Sequence, residues 1–189
     1  MSNGEFDKLL VTLKKAAAAL REEEIPFLLG GGLACWVRGG PESDHDLDFM
    51  LKEEDALRAL AVLAREGMRA EKPPEGWLYK AWDDDVLVDL IFRPTGFPIT
   101  DEVIERGEDL EVVSTPMRVM RLEDVFVAKL LALDEQNLDY KSLLEMARPV
   151  REQVDWEDVR DRTAESPYAK TFFTLVEGLD VVQPPPTGK

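Results

Sequence analysis

The chain has 189 residues, 39 of them acidic and 23 basic, for a formal net charge of −16. An excess of this size and sign excludes a broad phosphate-tracking surface of Lys and Arg, though not a local basic groove, and it favours cationic partners. A hydrophobic content of 44% is enough to bury a core as one domain or as a catalytic unit with a helical appendage, while the absence of a basic, then apolar, N-terminal stretch or of eighteen consecutive apolar residues predicts a cytoplasmic protein with no membrane partner.

Residues 6–24 carry Leu9, Leu10, Leu13, Ala17 and Leu20 at helical spacing, which predicts an amphipathic first helix. Residues 25–29 read as a short buried strand, 30–32 as a glycine turn, and 33–38 as the opening of a helix. A backbone without Cβ atoms lets phosphate approach closely, and a helix N-terminus offers unpaired N–H groups, so Gly31 and Gly32 are candidate phosphate-binding residues. A tight strand-to-helix turn explains the same glycines equally well. The pattern is neither a dinucleotide fingerprint nor a Walker loop, because no Gly-Lys-Ser/Thr follows.

A strand begins at Asp46. Successive strand side chains point to opposite faces, so Asp46 and Asp48 share one face and Leu47, Phe49 and Leu51 the other. Asp44-x-Asp46-x-Asp48 opens like a calcium loop, but Phe49 stands where glycine is required and Asp55 where Glu is, which argues against one. His45, the only histidine, falls on the face opposite the two acids, as a packing or surface residue would. Residues 53–66 read as a helix with Leu57, Leu60, Ala61 and Ala64 inward, ending at Gly67.

Strands follow at 68–72, 77–82 and 86–92, the last two joined by the polar turn Asp83-Asp84-Asp85. Trp77 and Tyr79 lie on one strand face, as core or cross-strand partners or as a stacking surface for a base. Val86-Leu87-Val88-Asp89-Leu90-Ile91-Phe92 is an apolar run broken only by Asp89. A solvated turn accounts for Asp83–Asp85 but not for an acid in a buried strand. Two carboxylates about 4 Å apart repel by about 4 kcal/mol at an effective dielectric near 20, and a bound cation reverses that sign. Asp46, Asp48 and Asp89 are therefore candidate metal ligands, and all-oxygen ligation suits Mg²⁺, Mn²⁺ or Ca²⁺.

A loop at 93–96, a short helix at 100–107 and a strand at 110–113 come next, then helices at 122–135, 139–148, 155–164 and 167–179. Residues 183–189, rich in proline, are expected to be disordered. Cys35 has no partner for an intrachain disulfide or a multi-cysteine zinc site.

Gly31-Gly32, a short helix carrying Arg38-Gly39, Asp46-x-Asp48 in a strand and the lone Asp89 in a later apolar strand together resemble the nucleotidyltransferase superfamily related to DNA polymerase β. The stretch from Arg121 to Leu133, continuing through Leu138-Asp139-Tyr140-Lys141-Ser142-Leu143-Leu144, is similar to the helical Lys and Asp motifs of small bacterial members, among them toxin-type and drug-modifying transferases. The resemblance spans about residues 25–160. Two departures stand out: many members have Gly-Ser where this chain has Gly31-Gly32, and a Thr or basic residue where it has Asp44 and His45.

The resemblance implies an α+β fold, a mixed β-sheet flanked by helices, with a catalytic core over 1–120, a C-terminal helical region over 121–182 packed on it and the tail beyond. It implies an enzyme that moves an NMP from an NTP to an acceptor hydroxyl with release of pyrophosphate. Asp46 and Asp48 would coordinate two Mg²⁺ ions, or Mn²⁺ in their place, that bridge the triphosphate. Asp89 would share the second ion and activate the hydroxyl. Gly31, Gly32, Arg38 and Lys129 would bind the nucleotide, Lys129 as a point charge on the β and γ phosphates. From the residues alone, Lys129 and Arg38 are equally open to a solvated or structural reading, and Asp139 to a helix cap. The acceptor is a small cationic molecule such as an aminoglycoside- or lincosamide-like drug, a tRNA end or a protein side chain. The charge favours the first, while the toxin-like helices favour tRNA and an antitoxin partner. A non-catalytic nucleotide- or protein-binding module of the same fold, or the toxin of a toxin-antitoxin pair, is the alternative. An acidic pocket at the acids would mark the cationic acceptor and a basic groove the RNA.

Overall fold

The computed structural model describes residues 3–42 and 46–184. Asp44, His45 and the tail from 185 onward lie outside the described residues, so the expectations for them are not addressed; Gln183 and Pro184 are exposed coil. The elements run α1 (Asn3–Glu22), β1 (Leu28–Leu29), α2 (Gly31–Trp36), β2 (Asp46–Met50), α3 (Glu53–Arg65), β3 (Arg69–Glu71), β4 (Leu78–Asp83), β5 (Val86–Ile91), α4 (Asp101–Glu105), β6 (Glu108–Val112) and β7 (Thr115–Val119). Helices α5 (Leu122–Leu131), α6 (Tyr140–Val150), α7 (Trp156–Arg162) and α8 (Pro167–Gly178) complete the chain, with a 3-10 turn at Arg151–Gln153.

All strands join one mixed sheet of order β3-β4-β5-β2-β1-β7-β6, giving an α+β fold. The antiparallel run β3-β4-β5 meets β2 in parallel, β1 pairs antiparallel to β2, and β7 runs parallel to β1. Leu47, Phe49, Val88, Leu90 and Ala81, all fully buried, lie on one side of β2, β5 and β4. That side receives α1 and α3. Leu13, Ala16, Ala17 and Leu20 of α1 are fully buried, and Thr12 and Lys15 of α1 bond Asp83 at 2.9 and 2.6 Å, locking the helix across the sheet. Apolar burial of this extent is the main driving force of the fold. Among the described residues no helix is long and apolar enough to cross a membrane.

Four elements differ from the sequence expectation. Helix α3 buries Ala56, Ala59, Leu60 and Leu63, whereas Leu57 is 51% exposed. The two stripes share Leu60 and hold two alanines each; the observed one also places Val62 and Leu63 in the core. Strand β7 is unannounced because the hairpin turn before it holds Val113 and Ser114 in the left-handed region (φ 51° and 60°) without the glycine or asparagine that usually signals it. Helix α5 stops at Leu131 because Asp134 turns the chain, accepting bonds from the N–H groups of Gln136 and Asn137. Helix α2 starts at Gly31, which puts both candidate glycines inside its first turn.

Candidate active site

Register brings the acids together. In the parallel β2–β5 pair Asp48 stands opposite Asp89, and Asp46 lies two residues earlier on the same face. Each residue offers one carboxylate oxygen, and the three atoms lie within 4.8 Å of one another. The opposite face of the same two strands is the apolar core, so alternation alone separates site from scaffold.

Helix α2 closes over this cluster. The N–H of Gly30 donates to the Asp48 carbonyl at 2.8 Å, and a Cβ built on Gly31 would lie 1.6 Å from Asp48 Oδ2. Gly31 also has φ +53°, so glycine is required there both by conformation and by the approach of the carboxylate. The first-turn N–H groups of Gly31 and Gly32 have no partner within the helix, whose first bond is Ala34 N–H to Gly30 O.

Burial pushes the Asp48 carboxyl up to about 7, the neighbouring charge of Asp46 adds to the rise, and Lys129 opposes it. Burial raises Asp89 as well, against the pull of Lys80, whose Nζ is 3.3 Å from Asp89 Oδ1. Asp89 Oδ1 is buried with this ammonium as its nearest partner. A crowded set of three carboxylates with too little positive charge is a donor set suited to a hard divalent cation. The residues present fit such an ion.

In front of the acids is a cleft of about 300 Å³. Gly32, Asp46 and Asp48 line it together with Lys129 of α5, Ser142, Glu145 and Met146 of α6, and Pro41 and Glu42 of the loop after α2. Lys129 is thus beside the acids. Arg38 is not among the lining residues: its Nη1 donates to the Ala34 carbonyl at 2.6 Å and its Nη2 lies 3.1 Å from Glu108. Asp139 caps α6, accepting from Ser142 N–H at 3.1 Å. Cys35 is fully buried and its thiol is pushed up to about 12 by desolvation, which makes it a core residue.

Sequence reasoning missed Glu42, Ser142, Glu145 and Lys80. The spacing of Ser142, Glu145 and Met146 does signal one helical face. Lys80 follows from the hairpin: a two-residue turn that pairs Asp83 with Val86 also pairs Lys80 with Asp89.

A mixed sheet with two acids on one strand, a third opposite them on its parallel neighbour and a glycine-opened helix above is the arrangement of a nucleotidyltransferase. Residues 7–177 match the family described as uncharacterised nucleotidyltransferases, and the chain belongs to that family of enzymes. Solved structures similar in fold include the antibiotic-resistance factor ANT(2'')-Ia in solution (18% identity, 92% of this chain and 97% of that one, TM-score 0.61). The crystal structure of ANT(2'')-Ia with adenylyl-2''-tobramycin is similar as well (17% identity, 86% and 98% coverage, TM-score 0.62). So is the lincomycin-bound lincosamide antibiotic adenylyltransferase LnuA (12% identity, 78% and 97% coverage, TM-score 0.53). A comparison with curated proteins finds no match.

Proposed function

We propose that the protein transfers an NMP from an NTP to a hydroxyl of a small cationic acceptor, releasing pyrophosphate, with Asp46, Asp48 and Asp89 as ligands to Mg²⁺. The observation that carries this reading is the convergence of three carboxylate oxygens within 4.8 Å on adjoining strands. Two Mg²⁺ ions, or Mn²⁺ in their place, would supply charge neutralisation of the triphosphate and stabilisation of the attacking and leaving oxygens.

The chain's own residues do the rest. Gly31 and Gly32 open a helix whose first-turn N–H groups have no partner within it and would hold a phosphate, Gly32 from the wall of the cleft, and Lys129 contributes a point charge to the same cleft. Asp89 accepts the acceptor hydroxyl's proton as the new bond from that oxygen to the α-phosphorus forms. The bond from the α-phosphorus to the bridging oxygen breaks, and pyrophosphate leaves. For Arg38 to join the nucleotide, its guanidinium would have to leave Ala34 and Glu108. In this reading residues 1–120 are the catalytic core, and the helices of 121–182 complete the cleft through Lys129, Ser142 and Glu145.

Charge supports a cationic acceptor. Besides the metal-binding acids the cleft has Glu42 and Glu145, and Lys129 is the one cation among its described lining residues. Phosphate tracking by tRNA would need the opposite balance. The likeness to ANT(2'')-Ia, solved with adenylyl-2''-tobramycin, and to LnuA, solved with lincomycin, supports a small molecule.

The test is calorimetric titration of ATP, GTP, CTP and UTP with and without Mg²⁺ into wild type and Asp46→Asn/Asp48→Asn. Magnesium-dependent binding of a nucleotide, lost in the double variant, is expected; no binding of any nucleotide would return the chain to a non-catalytic module. Pyrophosphate release with aminoglycosides, lincosamides and bulk tRNA then separates the acceptors.

A further inference from the structure

The row of side chains that contains Asp89 continues beyond it. Asp48 stands beside Asp89, Asp89 beside Lys80, and Lys80 beside Glu71, so four charged residues on β2, β5, β4 and β3 share one face of the sheet. Their order is acid, acid, base, acid. Lys80 Nζ lies 3.3 Å from Asp89 Oδ1, an ion pair longer than a short charge-assisted bond, and it draws the Asp89 carboxyl down against the effect of burial. Glu71, on the other side of Lys80, is held by Trp82 Nε1 at 3.1 Å and Arg69 Nη1 at 3.3 Å, both on its Oε2. Neither Lys80 nor Glu71 lines the cleft.

We propose that Lys80 is a positioning residue that takes the place of a cation at Asp89 in the metal-free protein and moves to Glu71 when a divalent ion binds. The inference rests on Asp89 being a metal ligand, as argued above. Lysine is a compact charge on a flexible stem, and a carboxylate stands directly opposite it on each neighbouring strand. In the metal-free cluster it offsets the mutual repulsion of the acids. A divalent ion on the same carboxylate repels the ammonium, so the ion binds in competition with Lys80. Glu71 offers the displaced ammonium a counter-charge one strand away, on a carboxylate that Trp82 and Arg69 also hold.

The experiment is titration of Mn²⁺ alone, followed by calorimetry and by the spin-resonance signal of free Mn²⁺, into wild type, Asp48→Asn, Lys80→Met, Lys80→Arg, Glu71→Gln and the Lys80→Met/Glu71→Gln pair. Lys80→Met is expected to bind Mn²⁺ about tenfold more tightly and Lys80→Arg about tenfold more weakly, since a guanidinium grips Asp89 through two bonds. Glu71→Gln is expected to weaken binding by about threefold, and the double variant to behave as Lys80→Met, because Glu71 acts only through the lysine. Mn²⁺ affinity in Lys80→Met equal to or below that of wild type would overturn the proposal. Should Lys80→Met not fold, an unchanged affinity in both Lys80→Arg and Glu71→Gln would do the same. Binding that is lost in Asp48→Asn but indifferent to Lys80 overturns this inference alone, whereas no binding by wild type removes the metal site and the inference together.

Discussion

Two buried aspartates, Asp124 and Asp89, live under opposite conditions. Asp124, 1% exposed on α5, accepts bonds from Arg106 Nε and Nη2 at 2.9 and 2.7 Å and from Arg162 Nη2 at 2.7 Å. Asp89, 8% exposed on β5, has one lysine at 3.3 Å and stands beside two further carboxylates. Three charge-assisted bonds from two arginines satisfy the first carboxylate and tie α4's end, α5 and α7 together. The second is left short of positive charge. A buried acid marks a site when its partners are other acids, and marks a scaffold when its partners are arginines.

The contrast can be broken by mutation. Asp48→Asn is expected to cut nucleotidyl transfer by at least about 10³-fold, roughly 4 kcal/mol in barrier, with an unaltered circular dichroism spectrum; turnover near wild type would remove the acids from the chemistry. Asp89→Asn should keep nucleotide binding in calorimetry while stopping turnover. Asp124→Asn should do the reverse, lowering unfolding stability by about 3 kcal/mol in a urea melt because Arg106 and Arg162 lose their charge partner. Nucleotide affinity of the folded fraction should be untouched.

The pH response sharpens the same distinction. Folded, Asp48 holds its proton to about pH 7, whereas an unfolded chain releases it near pH 4. The folded state therefore binds more protons between these values, and the stability that Asp48 contributes is lost as pH rises through that window. Metal-free protein should lose about 1–3 kcal/mol between pH 5 and 8, and Asp48→Asn should reduce the loss in thermal melts, leaving the part that the raised Asp89 carboxyl contributes. The smallest effect expected is at Lys129. Lys129→Ala should raise the nucleotide KM about tenfold with less change in kcat, since a point charge on phosphate acts on ground and transition states alike; an unchanged KM would make it a solvated helix residue.

Much of this was readable in the chain. Asp89 interrupts an apolar run and Asp46 and Asp48 alternate against Leu47 and Phe49, so a period of two was enough to put each acid on a strand. What could not be read depends on contacts distant in sequence. Nothing near Arg38 announces Glu108, seventy residues on, and nothing near Glu145 announces that α6 faces Asp46. The α3 stripe misleads because two registers are almost equally apolar, and β7 because its turn is strained without glycine.

Helix α2 has one more consequence. It carries the only thiol in the protein, Cys35, fully buried three residues past Gly32. A thiol so placed reacts with a reagent in solution only when the structure around it opens, by lifting of that helix or by unfolding of the chain. The rate of its labelling is thus a built-in clock for that opening, readable without adding any probe to the chain.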